Sequence, residues 1–171
     1  PVRGWAGYCR ASSAFRSLSA TDSLQEILHE TPTWLPVGNG CSYGDAALNA
    51  GGTRIRPVGS DQLQSEVKNG TVWVSAAMPL SELLPQLSIR GWTLPVVPGV
   101  LSATVGGMVA SDVHGNNHLH RSSFGNSVET LELILTDGQK MNCSREVEPD
   151  IFRATLGGMG LTGIVTSVLL R

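Results

Sequence analysis

A two-lobed α+β domain is predicted by three features of this sequence: a small βαβ lobe over about residues 1–57, then a mostly antiparallel sheet lobe with helices over about residues 58–171. The first feature is an order of strand, helix and strand that runs straight into the glycine-rich Gly38-Asn-Gly-Cys-Ser-Tyr-Gly44. The second is a set of alternating apolar runs joined by Asn69-Gly70 and Asp137-Gly138, dipeptides that favour tight hairpin turns. The third is the segment from Pro98 to Asn126, which carries five glycines and three of the chain's four histidines without a regular apolar period. Such a segment is poor at building a core. Glycine, however, lets a backbone approach a ligand closely, and successive main-chain N–H groups then converge on an anion. A bound ligand is the expectation.

Taken in order, Arg3 to Arg10 is broken by Gly4 and Gly7 and reads as an irregular lead-in, and Ala14 to Leu18 as a first short strand. Thr21-Asp22-Ser23 supplies an N-cap and Leu24, Ile27 and Leu28 share one face, which predicts a helix over about residues 22–30. After Pro32, Trp34 to Val37 is a strand that feeds the first glycine loop. Thr53 to Arg56 alternates and stops at Pro57, the mark of an edge strand. Gln62 to Lys68 and Thr71 to Ala76 flank Asn69-Gly70 as hairpin arms. Leu80, Leu83, Leu84 and Leu87 recur at helical spacing between Pro79 and Gly91. Trp92 to Val97 reads as a strand leading into the central segment. Val128 to Thr136 and Gln139 to Cys143 form a second hairpin, Pro149 to Leu156 a short helix closed by Gly157-Gly158, and Ile164 to Leu170 a final β-branched strand.

Composition excludes several classes of function. With 12 Lys and Arg against 14 Asp and Glu, the net charge of −2 offers no basic surface for nucleic acid or an anionic membrane. No apolar run reaches the length of a membrane span, and no signal-peptide pattern opens the chain. Cys9, Cys41 and Cys143 are odd in number and far apart, which fits neither a zinc ribbon nor a complete disulfide framework and points to a reducing, cytoplasmic setting. The chain opens at Pro1 and stops at Arg171 inside a strand pattern, as a piece of something longer would.

Three motifs have competing readings. Gly158-Met-Gly160-Leu-Thr-Gly163 matches G-x-G-x-x-G, yet it leaves a helical segment and enters a strand, the reverse of a Rossmann loop. Gly40-Cys-Ser42-Tyr-Gly44 matches the nucleophile elbow of serine hydrolases, but Asp45 to Ala50 allows hardly more than one turn of the helix that an elbow requires. A triad from Ser42, a histidine, and Asp61 or Asp112 is the alternative function, with a non-catalytic binding module beside it. His114, His118 and His120 have a loose metal-like spacing. Gly115-Asn116-Asn117 disfavours the helix that would align them, so no metal is expected, and His114 and His118 are read as ligand contacts. The four tryptophans read as core or interface residues.

Together the two glycine-rich loops resemble the FAD-binding (PCMH-type) domain of the vanillyl-alcohol oxidase and p-cresol methylhydroxylase flavoprotein superfamily. Within it the likeness is greatest to the decaprenylphosphoryl-ribose 2-oxidase and sugar-lactone or alditol oxidase group. The residues that carry it are Gly38 to Asn49, Pro98-Gly99, Thr104 to His118, Ser123 to Asn126 and Gly157 to Ile164, in family order, with Gly4-Trp5 at the opening. The resemblance implies a two-lobed FAD cradle. Its first loop, Gly38, Asn39, Gly40, Cys41, Ser42 and Tyr43 with Ala46 and Ala47, wraps the pyrophosphate. Its second runs under adenosine, pyrophosphate and flavin through Pro98, Gly99, Ala103, Thr104, Val105, Gly106 and Gly107. It continues through Ser111, Asp112, His114, Gly115, Asn117 and His118, and Gly163 and Ile164 complete the set.

No lysine is at hand, so the anion would be held by main-chain dipoles and by hydroxyls such as Ser42 and Thr104, with Asp112 accepting from a loop N–H. Val37 stands where members commonly carry arginine. Cys41 stands where histidyl-linked members place the bonded histidine, so FAD is expected to be non-covalent. The implied activity is oxidation of a C–OH of a sugar, alditol, sugar lactone or polyprenyl-phosphate sugar. The family's substrate-covering domain, and with it most catalytic groups, is expected to lie outside these residues, and no catalytic residue is named.

Overall fold

The computed structural model describes residues 1–19, 24–31 and 33–171, so the predicted N-cap at Thr21 to Ser23 and the break at Pro32 lie outside the described residues. A short ladder pairs β1 (Val2–Arg3) with β2 (Arg10–Ala11) ahead of the first lobe. Lobe one is a parallel three-stranded sheet in the order β3 (Ala14–Leu18), β5 (Thr53–Pro57), β4 (Trp34–Pro36), with α1 (Leu24–His29) between β3 and β4 in sequence. β5 is therefore the middle strand, not an edge. Pro57 is tolerated because it is the last residue of the ladder, and its partner Leu18 accepts from the N–H of Val58 at 2.8 Å instead.

Lobe two is an antiparallel sheet in the order β6 (Val72–Ser75), β9 (Ile164–Leu170), β7 (Val128–Ile134), β8 (Lys140–Ser144). A register shift between Val128 and Thr130 lets both Val128 and Leu131 face the core although they are three apart. The β7–β8 hairpin turns at Asp137-Gly138 as predicted, with Gly138 at φ +83° and Asp137 Oδ1 accepting from Gln139 N at 2.9 Å. Asn69 and Gly70 both take positive φ, the signature of a tight hairpin turn. Only Val72 to Ser75 pairs as a strand on the far side; the arm over 62–68 is joined to it by the Lys68–Thr71 bridge, by Gln64 N donating to Trp73 O at 2.9 Å and by Ser65 Oγ accepting from Trp73 N at 3.0 Å.

The predicted leucine helix is α2 (Leu80–Ser88), which buries Leu80, Leu83 and Leu87. It starts behind Pro79 without a side-chain cap. The carbonyls of Ala103 and Leu101 satisfy the N–H groups of Leu80 and Ser81, which locks the second glycine segment onto this helix. α5 (Pro149–Thr155) also forms where expected. Trp92 to Val97 does not form a strand: Pro95 lacks an N–H, and its carbonyl is taken by the Asn117 side chain at 2.8 Å.

The central segment is more structured than its composition suggests. It contains α3 (Val105–Ala110), the single turn α4 (His118–Arg121) and a 3-10 turn Phe124–Ser127. Val105, Met108, Val109 and Phe124 are all fully buried in the core of lobe two, so the stretch contributes to the core as well as to a site. None of the tryptophans is fully buried: Trp5 and Trp92 are about half exposed, at 48% and 47%, Trp73 is half-buried, and the half-buried Trp34 packs against the cluster of Leu18, Ile55 and Ile164. A second cluster of Leu18 and Ile55 from lobe one with Ile164 from lobe two fastens the lobes to each other.

Candidate functional site

The loop after β4 and the loop before α3 face each other across one cleft of about 790 Å³, within the usual ligand-pocket range of about 300–1,000 Å³. Gly38, Asn39, Gly40, Cys41, Ser42, Tyr43, Ala46 and Ala47 line one side, and Pro98, Gly99, Ala103, Thr104, Gly107, Ser111, Asp112 and His114 the other. The loops touch where Asn39 Nδ2 donates to Ser102 O at 2.7 Å and Cys41 Sγ lies 3.4 Å from Ser102 Oγ. A Cβ on Gly38 would overlap Thr104 Oγ1, so only glycine lets the first loop seat against the start of α3.

The polar inventory of the cleft fits an anionic ligand. Main-chain N–H groups from Gly38 to Tyr43 make no hydrogen bond among the described residues, which leaves a run of donors on the first loop. Ser42 Oγ has no partner among the described residues either, and no lysine or arginine lines the cleft. Its one carboxylate, Asp112, is held by Gly125 N at 2.8 Å, the loop N–H contact expected of it. Such a cradle suits a pyrophosphate, and a Cβ on Gly40 or Gly99 would enter open space at the cleft rather than packed protein.

The remaining residues of the predicted set stand off the cleft wall. Gly106 and Gly163 line a smaller pocket that adjoins it and shares Gly38, Thr104 and Gly107. Val105 and Ile164 are buried in the two cores. Gly115 is packed against Val97, whose carbonyl a Cβ would meet at 2.8 Å, and Asn117 is engaged with Pro95. His118 is exposed, and its ring stands edge-on to His114 at 5.3 Å between centroids, so the two histidines meet without the helix that their spacing was expected to need. Among the described residues no group of three or more His, Cys, Asp and Glu is placed to hold a metal ion.

Cys41 faces the cleft rather than packing under its loop. The nucleophile elbow is not formed: Gly40 to Gly44 is followed by turns and not by a helix, and among the described residues no histidine is hydrogen-bonded to Ser42. The G-x-G-x-x-G segment does join α5 to β9, helix first, as its flanks suggest.

Sequence reasoning missed Leu35, Pro36, Val37, Val100, Ala110, Val113 and Met159 on the wall. Most are apolar residues flanking the polar motifs, whose proximity depends on the lobe packing. Met159 had a local signal, since it lies between glycines, takes φ +53° and hydrogen-bonds Ala110 O at 2.8 Å. Arg56 was also missed. It lines the adjoining pocket and its Nη2 donates to Asn39 Oδ1.

Two lobes whose glycine loops face each other across a cleft without a lysine or arginine on its wall fit a protein that holds a phosphate-bearing ligand by main-chain dipoles. Residues 15–144 match the family model described as "FAD binding domain", and the chain belongs to that family. It is 40% identical over 131 residues to the decaprenylphosphoryl-β-D-ribose oxidase of Mycolicibacterium smegmatis, covering 75% of this chain and 28% of the relative. It is 30% identical over 135 residues to the L-gulonolactone oxidase of Mus musculus, covering 79% and 30%. To L-galactono-1,4-lactone dehydrogenase 2, mitochondrial, of Oryza sativa subsp. japonica it is 28% identical over 150 residues, covering 88% and 26%. The chain thus spans less than a third of the length of these relatives. Among the described residues no helix is long and apolar enough to cross a membrane.

Proposed function

We propose that this chain is the FAD-holding portion of a flavin-dependent oxidoreductase acting on a C–OH group of a sugar, alditol, sugar lactone or polyprenyl-phosphate sugar. The observation that carries the reading is the run of unpaired N–H donors from Gly38 to Tyr43, opposite Pro98 to Ser111 across a cleft without a lysine or arginine on its wall. The names of the three relatives, each an oxidase or dehydrogenase of a sugar derivative or sugar lactone, support the substrate class. FAD, when bound, supplies the hydride-accepting chemistry, and the protein supplies position and electrostatics.

In this reading residues 1–57 and 58–171 act as the two jaws of the cradle. The first loop and the Ser42 hydroxyl hold the pyrophosphate, Thr104 and Gly107 let the second loop approach it, and His114 with His118 forms a ligand-facing rim. Val105, Gly106, Gly115, Asn117, Gly163 and Ile164 support the wall from behind. The substrate-covering region and the catalytic base belong to sequence beyond these residues, consistent with the small share of each relative that the chain spans. Three unpaired thiols, Cys9, Cys41 and Cys143, support a reducing, cytoplasmic setting. Titration of the purified chain with FAD, read by quenching of flavin fluorescence, should show saturable binding at one site, with ADP competing and NAD not. Absence of saturable binding would overturn the reading.

A further inference from the structure

Arg56 belongs to β5, the middle strand of lobe one, and its Nη2 donates to Asn39 Oδ1 in the first glycine loop. Asn39 Nδ2 donates onward to Ser102 O at 2.7 Å in the second. One guanidinium and one amide therefore link the β-sheet to both loops of the cleft. Arg54, two residues earlier on the same face of the strand, is engaged elsewhere: its Nε donates to Ser13 Oγ at 2.9 Å and its guanidinium lies 5.4 Å from the centre of the Phe15 ring. Arg56 has no carboxylate within ion-pair distance among the described residues. Its charge is thus uncompensated beside a loop whose main-chain donors are free and whose cleft has no lysine or arginine on its wall.

We propose that Arg56 is the charge-bearing positioning residue of the pyrophosphate loop. Its guanidinium fixes Asn39, and through Asn39 the loop, while adding positive potential behind the free N–H donors. A half-buried charge is screened less than an exposed one, and a charge-assisted bond holds its partner more firmly than a neutral one. A loop fixed in advance avoids the ordering cost of binding. Lysine would keep the charge but lose the planar fork that reaches Asn39. This inference rests on the FAD reading of the cleft.

The test is to measure dissociation constants of FAD, ADP and riboflavin on the 171-residue chain and on its Arg56→Met and Arg56→Lys variants, at low and high salt. Riboflavin carries the ring without the pyrophosphate. Arg56→Met should weaken FAD and ADP about ten-fold, leave riboflavin unchanged and flatten the salt dependence of FAD binding. Unchanged FAD affinity, or equal losses for FAD and riboflavin, would overturn the proposal, the second outcome marking a merely structural role. If Arg56→Met does not fold, Arg56→Lys decides, and a loss confined to the pyrophosphate ligands supports the proposal. Wild-type protein that binds none of the three would instead sink the FAD reading, and this inference with it.

Discussion

The carboxylate of Asp112 accepts a hydrogen bond from the main-chain N–H of Gly125 at 2.8 Å, joining the turn that follows α3 to the 3-10 turn before β7. The contact is close on both sides: a Cβ on Gly125 would meet Asp112 Oδ1 at 2.9 Å, and Arg145 Nη2 donates to Gly125 O at 2.9 Å. Asp112 also adopts φ +39°, a region that Asn and Asp enter more readily than other side chains. Asp112→Ala should therefore lose about 1–3 kcal/mol of stability through the orphaned Gly125 N–H, read by denaturant unfolding. Asp112→Asn keeps an acceptor and the backbone preference while removing the negative charge from the cleft. It should unfold near the wild-type midpoint and bind FAD at least as tightly; weaker binding would show that the charge itself is needed.

Adjacent glycines of α3 should fail in different ways. A Cβ on Gly106 would meet Ala76 Cβ and O at 3.1 Å in the smaller adjoining pocket, whereas one on Gly107 would meet Thr104 Oγ1 at 3.2 Å on the cleft wall. Gly106→Val is expected to destabilise the fold, because overpacking against a backbone costs about 1–3 kcal/mol. Gly107→Val should leave unfolding closer to wild type and abolish FAD retention, by placing a side chain on the wall of the proposed cradle. A folded Gly107→Val protein with full flavin affinity would argue against this wall as the cradle.

Ser42 lines the cleft with no hydrogen-bond partner among the described residues, so its hydroxyl is free to donate to a ligand. A bond to a phosphate oxygen is worth about 1.5–3 kcal/mol. Ser42→Ala should thus weaken FAD by about one to two powers of ten, with no change in unfolding. Esterase assays of the same pair should show no activity for Ser42→Ala to abolish.

The antiparallel lobe is legible in the sequence because its information is local. Asn69-Gly70 and Asp137-Gly138 fix turns through their own backbone preferences, and β9 carries the β-branched Ile164, Val165, Thr166 and Val168. The position of β5 is not local. Nothing in Thr53 to Pro57 says that β3 and β4 will pair on either side of it, and Arg56 is hidden from sequence reasoning for the same reason. Trp92 to Val97 has the apolar content of a strand, but Pro95 and the Asn117 side chain remove it from any ladder. The glycine loops are legible as a ligand site, while the core residues within them are not, since Val105, Met108 and Val109 share a short helix that glycine composition disguises.

Flavin attachment is expected to be non-covalent. Cys41 is the nucleophilic side chain of the first loop, and its thiol sits at the junction of the loops, 3.4 Å from Ser102 Oγ and 3.9 Å from Asn39 O. Asn39 belongs to the loop proposed to hold the pyrophosphate, so in that reading the thiol is not presented to the flavin ring. Acid precipitation of loaded protein should give a colourless pellet and a yellow supernatant. A washed pellet that stays yellow, with the chain mass raised by one FAD, would refute the expectation.

Cys143 supplies a pH prediction that is independent of the ligand. It lies on β8 opposite Leu131, fully buried in the core of lobe two. Burial, and to a smaller extent the nearby Glu148 carboxylate, pushes its thiol up from 9.0 to about 11. Because the folded state favours the neutral thiol, that preference stabilises the fold in full below the unfolded value near pH 9 and is lost as pH rises through about 11. Two units correspond to about 2–3 kcal/mol. Wild-type stability should therefore fall between pH 9 and 11, whereas Cys143→Ala, less stable at neutral pH because of the cavity it leaves, should show a flatter profile over that range. In native protein at pH 8 a thiol reagent should label Cys9 and Cys41, both half-buried, and spare Cys143 until the chain is unfolded. Equal pH slopes for the two proteins, or rapid labelling of Cys143 in the folded state, would contradict its placement in the core.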